Sequence, residues 1–251
     1  MGRRCRACWA RSRRGPRGWA VPPAAERPAF VRAMFASIAP RYDLMNRLMT
    51  LGQDRTWRRE VVRRATLGEG QRLLDVGTGT GDIALEALRQ APGALAVGAD
   101  FTPGMMRAGR SRAGGARVRW VVADALHLPF AGGSFDAVAS GYLLRNVTDV
   151  PQALAEQHRV LRSKGRFVCL DTTPPPRSIL RPFIHFHLHV MIPLMGRVIT
   201  GSSAAYTYLP DSTEAFLSAE IIADHLRAVG LRAVGFVRRM LGTMAIHWGV
   251  K

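Results

Sequence analysis

The chain has 251 residues, enough for one α/β domain with an appendage, and its 47% apolar and 22% charged content is that of an ordinary globular protein. It contains no run of about 18 apolar residues free of charge, which excludes a membrane-spanning helix. The formal charge of +18 suits a nucleic acid or an anionic membrane surface, but all 36 basic residues except Lys164 and Lys251 are arginine, a skew that GC-rich coding produces without any partner.

Residues 1–27 are rich in Arg, Ala and Pro, with eight arginines against the single acid Glu26 over the first 28 positions, and they carry no apolar stripe. They read as a disordered basic extension that takes no part in the fold. Cys5 and Cys8 form a lone C-x-x-C without a second pair, and with Cys169 they give no disulfide framework, which fits a reducing cytosol. From residue 28 to about 66, Phe30, Met34, Ile38, Leu44, Leu48, Leu51, Trp57, Val61 and Val62 recur at three- and four-residue steps, the pattern of a helical cap.

Short apolar runs then alternate with helical segments. Strands are expected at 72–76, 95–100, 118–124, 135–140 and 166–171, with helices near 82–90, 103–112 and 149–162. That rhythm gives an α/β fold, a mostly parallel, doubly wound sheet with helices on both faces. The stretch 174–213 breaks it, opening on three prolines and continuing as FIHFHLHVMIPLMG, an apolar insertion suited to a lid. A helix near 214–229 precedes two runs, 231–239 and 243–250, too close together for a helical crossover, so they should pair as an antiparallel hairpin.

The segment Leu74-Asp75-Val76-Gly77-Thr78-Gly79-Thr80-Gly81-Asp82 follows a strand and opens a helix. Its glycines let backbone approach a ligand at the carboxyl end of the sheet. A dinucleotide fingerprint would need glycine where Asp82 stands, and a carboxylate at a helix N-terminus repels pyrophosphate. S-adenosylmethionine has no phosphate and bears a sulfonium and an ammonium, so Asp75 and Asp82 can face its methionine end. Asp100, 19 residues after Gly81, is placed to accept from both ribose hydroxyls, and Asp124-Ala125 to meet the adenine edge. Each acid alone reads as a helix cap; four at successive strand ends around one loop point to a methyltransferase.

With these motifs placed, the chain resembles the bacterial ubiquinone/menaquinone biosynthesis C-methyltransferases. The resemblance runs from about Met34 to Lys251 on FASIAPRYDLMNRLMTLGQDRTWRR (35–59), LDVGTGTGD (74–82), ADALHLPF (123–130), LRNVTDV (144–150) and AYTYLPDS (205–212). It implies the seven-stranded, Rossmann-like class I methyltransferase fold ending in an antiparallel hairpin, S-adenosyl-L-methionine as cofactor, and a polyprenyl quinol as acceptor. Cofactor contacts fall by this resemblance on Thr80, Asp100, Asp124 and Ala125. A family serine falls on Gly141, beside Ser140, which leaves a backbone contact there. The family's L-E-F after the fifth strand reads Leu170-Asp171-Thr172.

Methylation of a ring carbon needs an aligned methyl donor and a quinol hydroxyl that loses its proton, so the site needs a relay for that proton and a cation or donor facing the phenolate. Arg145-Asn146 is the expected pair, the competing reading of Arg145 being a structural ion pair. Tyr42, Asp43 and Tyr206 are expected to line the substrate pocket. His185, His187 and His189 put only two rings on one helical face, so no metal is expected. They belong instead to the lid, where Phe183, Phe186, Leu188, Ile192 and Leu194 suit a prenyl chain and Arg177, Arg181 and Arg197 suit lipid headgroups on the inner face of the membrane. Other small-molecule methylation, an assembly role without catalysis, and RNA methylation are the alternatives; the last has no basic–aromatic module to support it.

Overall fold

The computed structural model describes residues 42–175, 181–192, 194, 212–213 and 215–251. The basic extension 1–27, Tyr206, Arg177 and Arg197 lie outside the described residues, as do the side chains of Tyr42, Asp43, Arg181 and Leu188.

Seven strands form one sheet: β1 Arg72–Val76, β2 Leu95–Asp100, β3 Arg119–Val122, β4 Phe135–Gly141, β5 Leu161–Thr172, β6 Arg232–Arg239 and β7 Met244–Val250. Their order is β3-β2-β1-β4-β5-β7-β6. β1 to β5 run parallel, while β7 is antiparallel to both β5 and β6. The expected hairpin is therefore present, and its second strand rather than its first joins the parallel sheet.

Helices α1 Tyr42–Met49 and α2 Gln53–Ala65 precede the sheet; α3 Asp82–Gln90, α4 Pro103–Arg110 and α5 Val150–Val160 connect its parallel strands. α6 Arg181–Phe186 runs on into a π-helical turn, His187–Met191, and α7 Ala219–Ala228 leads into β6. Local chemistry sets the starts: Asp149 accepts from the Gln152 amide at 3.0 Å ahead of α5, with Pro151 in its first turn, and Ser218 caps α7. Each side chain satisfies an amide that the helix cannot.

Consecutive strand residues feed opposite layers. Leu74, Val76, Val138, Phe167 and Cys169 pack with Leu154 of α5 and Leu226 of α7. Leu73, Ala137, Ala139, Val168 and Leu170 pack on the other face with Trp57 and Val61 of α2. Both faces are thus covered, as a parallel sheet requires. The winding reverses between β1 and β4, and the crevice beyond their carboxyl ends is where such sheets bind ligands.

Candidate active site

β1 delivers the chain into that crevice through three glycines with positive φ, Gly77 (69°), Gly79 (57°) and Gly81 (83°). Space as well as conformation requires glycine here: a Cβ on Gly81 would lie 2.5 Å from the Trp120 ring, and one on Gly77 would lie 2.9 Å from Leu143. The loop is tied to β2, since the amides of Gly77 and Thr78 donate to the Ala99 carbonyl at 2.8 and 3.1 Å. Around it opens a cleft of about 670 Å³, lined by Asp75, Gly77, Thr78, Gly79, Thr80 and Asp82 of the loop, Asp100, Phe101, Thr102 and Met105 after β2, and Gly141, Tyr142, Leu143 and Asn146 after β4, with Arg58 and Ile83.

Three carboxylates and one arginine give this lining a negative excess, but the acids differ. Asp82 takes Arg58 at 2.9 Å and Arg112 at 2.7 Å. Burial would raise its carboxyl; the two guanidinium groups outweigh that and hold it below the usual carboxylate range. It lines the cleft, as an acid facing the methionine end would, with its oxygens already held by two arginines. Arg112 also donates to the carbonyl and hydroxyl of Thr80, at 3.0 and 3.1 Å.

Asp75 is 1% exposed; Oδ2 accepts from the Thr78 hydroxyl at 2.7 Å and the Ala84 amide at 3.1 Å, while Oδ1 has no partner among the described residues. Burial pushes its carboxyl up to about 7, reinforced by Asp82 and Asp100 and opposed by those two hydrogen bonds. Asp100 accepts from the Gly79 amide at 2.8 Å and the Thr102 amide at 2.7 Å, which fixes both oxygens at the cleft wall; burial raises its carboxyl against those bonds. A ligand with positive charge and no phosphate fits these acids, and the glycine cradle leaves room for it. The residues fit S-adenosylmethionine on both counts.

Other expected positions fall elsewhere. β3 ends at Val122, two residues early, and the chain turns back so that Asp124 Oδ1 accepts from its own Leu126 amide at 2.9 Å. Its exposed carboxylate and the partly buried Ala125 do not line the cleft. Gly81 shapes the loop without lining the cleft. Gly141 does line it, and a Cβ there would meet Ile83 at 3.0 Å, so the contact available is backbone.

Arg145 and Asn146 part company. Asn146 lines the cleft and donates from Nδ2 to the Tyr142 carbonyl at 2.8 Å. Arg145 does not; its Nη1 donates to Asp171 at 2.7 Å in a buried ion pair, and its guanidinium sits 5.1 Å from the centre of the Tyr142 ring. The residue expected as the acceptor-facing cation is thus held in a buried ion pair and does not line the cleft. Tyr142 holds φ at 59°, a conformation that costs a non-glycine residue about 1–2 kcal/mol and often marks a functional site.

Arg58 and Tyr142 were not expected. The i,i+4 spacing of Asp54 and Arg58 was the only cue to the former, and nothing in composition marks the latter. Of the lid histidines, His187 hydrogen-bonds the Met49 carbonyl at 3.2 Å, and the His185 and His189 rings lie 4.2 Å apart.

Residues 24–251 match the model of the ubiE/COQ5 methyltransferase family. A Desulfotalea psychrophila protein named ubiquinone/menaquinone biosynthesis C-methyltransferase UbiE is 51% identical, over 88% of this chain and 90% of its own length. A Thermus thermophilus demethylmenaquinone methyltransferase is 44% identical over 86% and 99%. Among solved structures, the [4+2]-cyclase SpnF has a TM-score of 0.64 at 18% identity, covering 88% of this chain and 94% of its own. A chain from a Haloferax volcanii complex of the Trm112 activator with a putative methyltransferase has a TM-score of 0.61 at 20% identity, covering 86% and 96%. These two likenesses bear on the fold alone.

Proposed function

The chain belongs to the ubiE/COQ5 methyltransferase family and is an S-adenosylmethionine-dependent methyltransferase; from that premise we propose that its acceptor is the ring carbon of a polyprenylated quinol, demethylmenaquinol or the related benzoquinol. The observation that carries the acceptor is the 51% identity, over nine-tenths of each chain, to a protein named for that reaction.

S-adenosylmethionine supplies, when bound, a methyl group on a sulfonium. Asp100, held by two backbone amides, is the acceptor for the ribose hydroxyls, and the open Oδ1 of Asp75 suits the ammonium group. Gly77, Gly79, Thr80 and Gly141 supply the close backbone approach, and Gly81 shapes the loop behind them. On the β4 side, Asn146 orients the quinol hydroxyl, whose deprotonation makes the adjacent ring carbon nucleophilic. Arg145 is a positioning residue that fixes Tyr142 and Asn146 through Asp171. Asp124 and Ala125 meet the adenine only if the 123–127 turn rearranges on binding.

The acceptor's enclosure is assigned to the helical cap with Tyr42 and Asp43, and to the 174–213 insertion with Tyr206. Exposure of Phe183 (73%), Phe186 and Leu194 supports a surface that receives a prenyl chain at the membrane's inner face. Among the described residues no helix is long and apolar enough to cross a membrane.

The test is transfer of a labelled methyl group to a short-chain demethylmenaquinol, beside quinone profiling of cells with and without the gene. Accumulation of the unmethylated quinone is expected on deletion; unchanged quinones and no transfer would overturn the assignment.

A further inference from the structure

Behind Arg58 and Asp82, which it shares with the cofactor cleft, lies a second and larger groove of about 1290 Å³ between α2, α3 and the 112–117 turn. Seven arginines line it against Asp54, Asp82 and Glu86, an excess of four positive charges. Four of the seven are engaged: Arg58 and Arg112 hold Asp82, Arg89 holds Glu86, and Arg117 donates to the Pro92 carbonyl. Arg47, Arg55 and Arg59 are exposed and make no side-chain hydrogen bond or ion pair among the described residues. Three exposed arginines lining one concavity offer the planar donors that a phosphate takes.

One lining residue, Arg47, sits among exposed leucines. Leu44, Leu48 and Leu51 form one stripe beside Arg47, while Met45 and Met49 turn inward. Leu51 is 80% exposed and held at φ 52°, an unfavourable conformation for a bulky side chain that gains nothing from packing. His187 joins this helix to the segment that exposes Phe183 and Phe186. Phosphate-binding charge beside projecting apolar side chains describes an amphiphile. The chain's own first 41 residues, with ten arginines and one acid, have the wrong sign to fill the groove. A nucleic acid would want aromatic rings for its bases, and the lining has none.

We propose that this groove seats the phosphate of an anionic phospholipid headgroup, with Leu44, Leu48 and Leu51 entering the acyl region beside it. The inference rests on the membrane-held acceptor proposed above for its orientation, but its test does not pass through turnover.

The full-length protein is sedimented with vesicles of equal parts phosphatidylglycerol and phosphatidylcholine, and with phosphatidylcholine alone. A groove variant, R47S/R55S/R59S, is compared with a tail variant of equal charge loss, R3S/R4S/R6S. An arginine at an anionic surface contributes about fivefold to binding. The groove variant should bind the mixed vesicles at least ~30-fold more weakly, the tail variant should lose less than ~5-fold, and L51S should fall between. Melting temperature and cofactor affinity should remain those of the parent. Equal losses in the two arginine variants would reduce the effect to net charge and overturn the proposal. So would arginine-dependent binding of a single-stranded oligoribonucleotide in preference to vesicles, or stabilisation by inorganic phosphate with no vesicle binding. Soluble-quinol turnover without vesicle binding would leave the methyl-transfer reading standing and sink this one.

Discussion

Arg145 and Asp171 stand 26 residues apart in sequence and 2.7 Å apart in space, the guanidinium from the loop after β4 meeting the carboxylate near the end of β5. Their side chains are only 6% and 4% exposed. The pair ties the loop that carries Asn146 to the neighbouring strand, and it anchors the guanidinium over Tyr142. Removing one partner of such a pair strands the other, at a cost of about 3–5 kcal/mol. R145M should therefore lower stability by that amount in urea unfolding. In R145M/D171L, with neither charge left, most of the stability should return while soluble-quinol turnover stays at least ~10-fold below the parent and cofactor affinity changes less than ~3-fold. Full recovery of turnover would leave the pair with a structural role only.

Asp100 offers the ribose its carboxylate oxygens while Gly79 and Thr102 hold them in place. D100A removes the acceptor and the anchor together, so cofactor affinity should fall by about 1–3 kcal/mol, roughly 5- to 150-fold, by calorimetric titration. An unchanged affinity would refute the ribose assignment.

Asp75 gives the cofactor-free protein a pH dependence. Burial lifts its folded carboxyl from 3.8 to about 7, so between those values the folded chain keeps a proton that the unfolded chain releases. The associated stability is complete below about pH 4 and is lost as pH rises through 7. Unfolding free energy should drop by about 2–3 kcal/mol between pH 5 and pH 8 from this residue, and D75N should flatten that drop. Parallel profiles for parent and D75N would contradict the assignment.

Gly81 is the steric test of the loop. G81A places a methyl group against Trp120 at a φ that alanine disfavours, and it should cost about 1–3 kcal/mol of stability and weaken the cofactor with it. Gly104, where a Cβ comes no nearer than 3.9 Å to any side chain, is the control, and G104A should leave cofactor affinity within about twofold.

The alternation of buried runs and amphipathic segments was enough to read the five parallel strands, because a parallel sheet covered on both faces needs continuous apolar strands with helices between them, and the short gap between the last two runs marked the antiparallel hairpin. The glycine loop was equally legible, its positive-φ turns admitting little but glycine. What escaped depends on where the chain turns after leaving a strand. Asp124 satisfies its own turn instead of reaching the cleft, and Arg58 arrives from a helix that passes the loop only in three dimensions. Tyr142 escaped for a different reason, since a strained φ on a tyrosine has no compositional signature. Arg145 stood out in the sequence as a candidate cation with a structural ion pair as the competing reading, and its partner Asp171 is brought beside it only by the β4–β5 pairing.

The insertion of β7 between β5 and β6 also sets a timetable for synthesis. Thr172 at the end of β5 pairs with Met244, 72 residues later, so the outer edge of β5 stays open until nearly the whole chain has emerged. At about 5–20 residues per second that is an interval of about 4–14 s. Throughout it Phe167, Val168, Cys169 and Leu170 sit on a strand with unpaired amides and carbonyls, the kind of edge on which nascent chains stick to one another. The half of the sheet that carries the glycine loop, β1 to β4, is free to assemble first, and the last strand then seals the edge beside Asp171.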